Sequence, residues 1–155
     1  MKSVRAKKKL GQHFLKDLNI ARKISETLTF ENYKKVIEIG PGMGVLTQFL
    51  IEKTKDLNLI EIDSDSAAYL KNLYEEKDFK LIEGDFLKLD LEKTFGSEPL
   101  AIIGNFPYNI STQIIFKTLE HRNQIPFFSG MFQKEVAERI CESPGSKKYL
   151  SLIHI

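Results

Sequence analysis

The chain has 155 residues, 42% hydrophobic and 28% charged, which suits one globular domain with a single core and leaves no room for two. No apolar run reaches the roughly 18 to 20 residues of a membrane-spanning helix, and no apolar segment follows the basic N-terminus as a secretory signal requires, so a soluble, cytoplasmic protein without a membrane partner is expected. Cys141 is the single cysteine and His13, His121 and His154 lack metal-ligand spacing, so neither a disulfide nor a metal or redox centre is expected.

The net charge of +2 is unevenly placed: Lys2, Arg5, Lys7, Lys8 and Lys9 put five cations in the first nine residues without an acid. Such a run can follow a phosphate backbone, releasing counterions, or it can be a solvated tail. Residues 1–16 are therefore set apart as a basic arm, and 17–155 as the folded domain. From Asp17 to Leu28, Leu18, Ile20, Ala21, Ile24 and Leu28 recur at helical spacing, with Asp17 as cap. Lys35–Ile39 reads as a strand ending in the cluster Gly40, Gly42 and Gly44, and Val45–Lys53 reads as a helix. The rhythm repeats with a strand at 57–62, a helix capped by Ser64 and running to about Glu76, and a strand at 79–82. Leu100–Ile103 is a fourth apolar run, interrupted by Asn105-Phe106-Pro107-Tyr108, after which Ser111 opens a helix. A fifth strand at 127–132 and a helix at 133–142 precede the loop from Ser143 to Ser146. Alternating strands and helices predict an α/β fold, an open and mostly parallel sheet with helices on both faces.

In such sheets, ligands bind beyond the carboxyl ends of the strands. There Gly40, Gly42 and Gly44 allow close backbone approach and leave the next helix N-terminus open to a ligand, although a helix-packing turn would look the same. The third glycine falls one residue too early for the G-x-G-x-x-G dinucleotide fingerprint, and no G-x-x-x-x-G-K-[ST] phosphate loop is present. Glu61, about 20 residues on, can accept both hydrogen bonds of a ribose diol. Asp85, after the third strand, can accept from an adenine amino group or can simply cap a turn. A nucleoside without polyphosphate fits these positions, and S-adenosylmethionine is the expected cofactor.

Asn105-Phe106-Pro107-Tyr108 is the most specific segment. An adenine amine is a poor nucleophile because its lone pair is delocalised into the ring. The Asn105 side-chain oxygen and a backbone carbonyl released by the Pro107 bend can each accept one amino hydrogen and aim that pair. Tyr108 can stack on the target base, worth roughly 1 to 3 kcal/mol. The bland alternative is a strand-ending turn beside a core tyrosine.

These residues resemble the KsgA/RsmA family, the small-subunit ribosomal RNA dimethyladenosine transferases, which are related to the Erm antibiotic-resistance methyltransferases. The matching segments are Gly11–Leu15, Glu38–Thr47, Ile60–Asp63, Gly84-Asp85, Asn105–Ser111, Glu135–Arg139 and Gly145–Lys147. The resemblance implies a Rossmann-like S-adenosylmethionine-dependent methyltransferase fold. It places His13, Leu15, Gly40, Glu61, Asp85 and Asn105 around the cofactor, and Tyr108 at the target adenine. It implies dimethylation of two adjacent adenosines near the 3′ end of 16S ribosomal RNA in the immature small subunit by a monomer, with Arg5, Lys7, Lys8 and Lys9 as an RNA-touching arm. Phe106 stands where leucine is more usual. After Tyr149 the chain departs from the family, and the last strands and a C-terminal helical domain are expected to be missing. Rival readings remain: an Erm-like enzyme acting on 23S ribosomal RNA, a DNA adenine methyltransferase sharing the same amide-proline-aromatic segment, and a non-catalytic RNA-binding module of ribosome assembly.

Overall fold

The computed structural model describes Arg5, Lys7 and residues 13–145. Lys8, Lys9, Gly11, Gln12, the Ser146-Lys147 pair and the divergent 150–155 segment lie outside the described residues. No helix among those described is long and apolar enough to cross a membrane.

Five strands, β1 (Lys35–Ile39), β2 (Leu57–Glu61), β3 (Lys80–Glu83), β4 (Leu100–Asn105) and β5 (Phe127–Met131), form one sheet in the order β3-β2-β1-β4-β5. All four pairings are parallel, with Ile39 level with Ile60 on one side and with Gly104 on the other. β1 and β2 are buried along their whole length and β4 along all but its last residue, which is why they read as nearly unbroken apolar runs. Alternate side chains feed two cores. Val36, Leu57, Leu59, Ala101 and Ile103 pack on one face with Ile24, Leu50 and Leu70 of α1 (Leu18–Glu26), α2 (Thr47–Ile51) and α3 (Ser64–Leu73). Ile37, Ile39, Ile60, Leu100 and Ile102 pack on the other with Leu91 of α4 (Leu91–Phe95) and Ile114 of α5 (Ser111–Glu120). The last helix among the described residues is α6 (Lys134–Ile140).

Local chemistry sets the boundaries. Asp17 caps α1, accepting from the N–H groups of Asn19 (2.8 Å) and Ile20 (3.2 Å). The cap of α3 is Asp63, not Ser64, and its carboxylate accepts from the Ser66 N–H (3.3 Å) and hydroxyl (2.9 Å). α2 is only five residues long, where a helix over 45–53 was expected. Gly40, Gly42 and Gly44 all have positive φ (65°, 56° and 77°), so the chain turns through 42–46 before a helix can start. A single 3₁₀ turn at Phe86–Lys88 and α4 were not expected; Asp85 and Asp90 cap them.

The close approach of β4 to β5 depends on Gly130. A methyl group there would run into the Gly104 carbonyl oxygen and the Phe106 ring. Phe106 is 1% exposed and stacks on both Phe128 and Phe132, at centroid distances of 5.1 and 4.7 Å in a cluster of three rings, so neither the carbonyl nor the ring can yield cheaply. Gly130→Ala is expected to lower unfolding stability by about 2 to 3 kcal/mol through overpacking. A urea titration showing a change within about 0.5 kcal/mol, the range of an ordinary surface substitution, would contradict this packing.

Candidate active site

The carboxyl ends of β1, β2, β3 and β4 open into one pocket of about 760 Å³, part of it continuous with solvent. It lies where strand order reverses between β1 and β4, the position at which an open α/β sheet leaves a crevice. His13, Leu15, Gly40, Gly42, Glu61, Asp85 and Asn105 line it together, as does Pro107. Gly44 does not. Its absent side chain instead makes room for α3, since a Cβ there would lie 3.0 Å from both Leu70 and Tyr74, and its carbonyl accepts from the Tyr74 hydroxyl at 2.9 Å. The N-terminus of α2 reaches the lining through its N-cap residue Leu46, and the turn through Pro41, Met43 and Val45 completes that wall.

Glu61 is 2% exposed. Its Oε2 accepts from the Gly42 N–H (3.0 Å) and its Oε1 from the Asp63 N–H (2.9 Å), so the carboxylate ties the glycine turn to the end of β2. Burial raises its pKa, and the two backbone N–H groups oppose the rise. Each oxygen keeps acceptor capacity, which a ribose diol can use. Beneath the turn, Glu38 of β1, 1% exposed, accepts from the Thr47 hydroxyl at 2.7 Å and joins β1 to α2. Asp85 Oδ1 accepts from the Leu87 N–H at 2.9 Å, and so both caps the 3₁₀ turn and borders the pocket. Neither lysine nor arginine lines this pocket among the described residues. The donor and acceptor set therefore suits an uncharged ribose and base, and not a polyphosphate.

At the end of β4, Asn105 Nδ2 donates to the His13 carbonyl oxygen at 2.7 Å. That bond turns Oδ1 the other way, and it is the one buried side-chain polar atom among the described residues without a hydrogen-bond partner. An unmet buried acceptor costs about 1 to 3 kcal/mol, so it marks a place where a donor is missing. The Pro107 carbonyl accepts from the Ile110 N–H (3.2 Å), and the Phe106 N–H donates to Met131 (3.2 Å). The Phe106 side chain belongs to the core, which leaves its backbone carbonyl as the part that can face a substrate. Tyr108 is half-buried and stacks on His13 at 4.1 Å with 20° between planes, so one of its faces is already covered.

The N-terminal segment is built into the site. A Cβ on Gly42 would lie 3.0 Å from the Phe14 ring, so that ring sits directly on the glycine turn. Lys7, read from sequence as a phosphate contact, forms ion pairs with Asp63 and with Asp65 (2.8 Å), which hold its pKa up at about 12. Its charge is matched within the chain because Asp63, at the start of α3, is almost fully buried and needs a counterion. Arg5 is exposed. Phe14, Met43, Ile62, Phe86 and Ile110 also line the pocket and were not singled out in the sequence. Ile62 and Phe86 directly follow Glu61 and Asp85, and that adjacency was the available signal.

A family model described as "Ribosomal RNA adenine dimethylase" matches residues 3–153. The match runs into the 150–155 segment that the sequence reading sets apart. A curated relative from Flavobacterium johnsoniae, named ribosomal RNA small subunit methyltransferase A, is 58% identical over 149 residues, covering 96% of this chain and 57% of the relative. The chain thus spans about half the length of the curated relatives it matches. Among solved structures, a dimethyladenosine transferase from Plasmodium falciparum superimposes with a TM-score of 0.70 at 36% identity, over 88% of this chain and 49% of that one. The 23S rRNA methyltransferase ErmE gives a TM-score of 0.72 at 29% identity, over 82% and 50%.

Proposed function

Because the chain belongs to the ribosomal RNA adenine dimethylase family, we propose that it transfers methyl groups from S-adenosylmethionine to the exocyclic amines of two adjacent adenosines near the 3′ end of 16S ribosomal RNA. It does so in the cytoplasm, as one copy of the chain acting on the immature small subunit. The observation that carries this reading is Asn105 Oδ1, a buried acceptor with no partner, at the rim of a pocket suited to a nucleoside.

Glu61 would hold the ribose of S-adenosylmethionine, Asp85 its adenine amine, and the Gly40–Gly42 turn with His13 and Leu15 would enclose the remainder. When bound, the cofactor supplies an electrophilic methyl group on a sulfonium. The chain's own residues prepare the acceptor. Asn105 Oδ1 and the Phe106 carbonyl each accept one hydrogen of the adenine amine, which orients the nitrogen and localises its lone pair. Pro107 fixes the bend that turns the Phe106 carbonyl outward. Tyr108 offers a stacking face, with His13 backing the other. The methylated amine is acidic enough to release its proton to water, so no general base is assigned.

Residues 1–16 form the RNA-facing arm in this proposal and 17–155 the catalytic domain, with Arg5, Lys8 and Lys9 as the phosphate contacts. The likeness to ErmE favours a second reading, adenine methylation in 23S ribosomal RNA. Labelled S-adenosylmethionine offered with immature small subunits and, separately, with large subunits decides between them after digestion to nucleosides. Dimethyladenosine in the small subunit alone is the expected result. Label in the large subunit alone would establish the second reading, and label in neither would leave the RNA-binding module as the better description.

A further inference from the structure

We infer that Lys117 is a positioning residue for the base of the bound nucleoside, holding from behind the short turn that carries Asp85 and Phe86 into the pocket. The inference rests on the cofactor reading above and adds a residue to it. Lys117 lies on α5, outside the pocket lining. Its ammonium donates to the backbone carbonyls of Phe86 (2.7 Å), Leu87 (3.2 Å) and Leu89. It also stands 5.0 Å from the centroid of the Phe86 ring.

An ammonium has three N–H donors, and here each meets a carbonyl of the 3₁₀ turn or of the residue that ends it. The Phe86 carbonyl already accepts from the Leu89 N–H (3.2 Å) and takes a second bond from Lys117, and a turn of three residues is weakly held on its own. The side chains Asp85 and Phe86 that this turn presents both face the pocket. Leu87 links the two sides directly. Its N–H is bonded to Asp85 Oδ1 (2.9 Å), while its C=O is bonded to Lys117. Moving the Leu87 peptide therefore moves the carboxylate. Asp85 and Asp90 offset part of the cost of burying the Lys117 charge.

A lysine that only packed the fold would, when replaced, weaken every ligand alike. One that aims Asp85 governs the distinction between a base carrying a 6-amino group, which can donate to the carboxylate, and a base carrying a 6-oxo group, which cannot. The experiment is calorimetric titration of the 155-residue chain with S-adenosylhomocysteine and with S-inosylhomocysteine. Wild type is expected to prefer the adenine compound. Lys117→Met is expected to reduce that preference by about fivefold to tenfold, the net worth of roughly one ordinary hydrogen bond, while affinity for the inosine compound changes little. Lys117→Gln is shorter and uncharged and reaches fewer carbonyls, so it should fall between the two; it also serves if the methionine variant does not fold. An unchanged preference in a folded variant overturns the inference and leaves the cofactor reading intact. Absence of binding by wild type overturns the cofactor reading, and this inference with it.

Discussion

Asn105→Ala is expected to reduce methyl transfer by at least about a hundredfold, with binding of the immature subunit retained within about threefold. The alanine variant removes the acceptor that orients the amine and leaves the surrounding surface in place. It also removes the donor to the His13 carbonyl. Asn105→Asp keeps acceptor oxygens and loses the N–H donor that aims them. A carboxylate facing the His13 carbonyl would be pushed from its position, so this variant should be nearly as poor as alanine. Single-turnover rates at saturating cofactor, set beside filter retention of the subunit, read the two quantities apart. Equal loss of binding and rate in Asn105→Ala would remove the assigned role.

The second large effect is a pH dependence of stability from Glu38. Burial pushes its carboxyl pKa up to about 8, the Thr47 hydroxyl opposes the rise, and the nearby Glu61 adds to it. Below the ordinary carboxylate pKa of about 4.5 both folded and unfolded chains hold the proton. As pH rises, the unfolded chain releases it first, so the stability present in acid is progressively lost until about pH 8, where the folded chain ionises too. The loss between these limits is on the order of 4 kcal/mol for a shift of this size. Glu38→Gln keeps the shape and the acceptor for Thr47 but has no proton to lose. Urea midpoints measured from pH 5 to 9 should fall with pH in wild type relative to Glu38→Gln, and the two curves should diverge most above pH 8. Parallel curves would show that Glu38 is ionised in the folded chain at neutral pH. Because Glu38 underlies the glycine turn, the same comparison reports on the footing of the nucleoside pocket.

Much of this arrangement was legible because its signals are local. The strands are apolar runs bounded by turn residues, the Asp17 cap is set by its immediate neighbours, and the glycine turn and Asn105 stand out as motifs although their partners are distant. Capping was harder. Asp63 and Ser64 are both competent caps, and the choice fell to Asp63, whose carboxylate also meets Lys7 from 56 residues away. The 3₁₀ turn and α4 are too short for a periodic pattern, although Asp90 and the following Gly96 mark both ends of α4. Gly44 looked like its two companions, and only the packing of Leu70 and Tyr74 against it shows a different task. Lys7 and Lys117 were beyond reach altogether. A lysine's sequence context says that it is charged, whereas its partner is decided by which distant turn or helix the fold brings to it.

The strand order has a consequence for how such a domain can change over time. Residues suited to the nucleoside, Gly42, Glu61 and Asp85, come from the β1-β2-β3 wing, while Asn105 ends β4 and Phe106, Pro107 and Tyr108 follow it in the other wing. Within the sheet the two wings meet along the β1–β4 seam, from Lys35 opposite Leu100 to Ile39 opposite Gly104, and outside it Lys117 of α5 reaches across to the turn that carries Asp85. A substitution in one wing that leaves the seam and the Lys117 crossing intact leaves the contacts of the other wing in place. In the proposed function, the residues that grip the small molecule and those that face the target can thereby change at different rates, as long as these two crossings are kept.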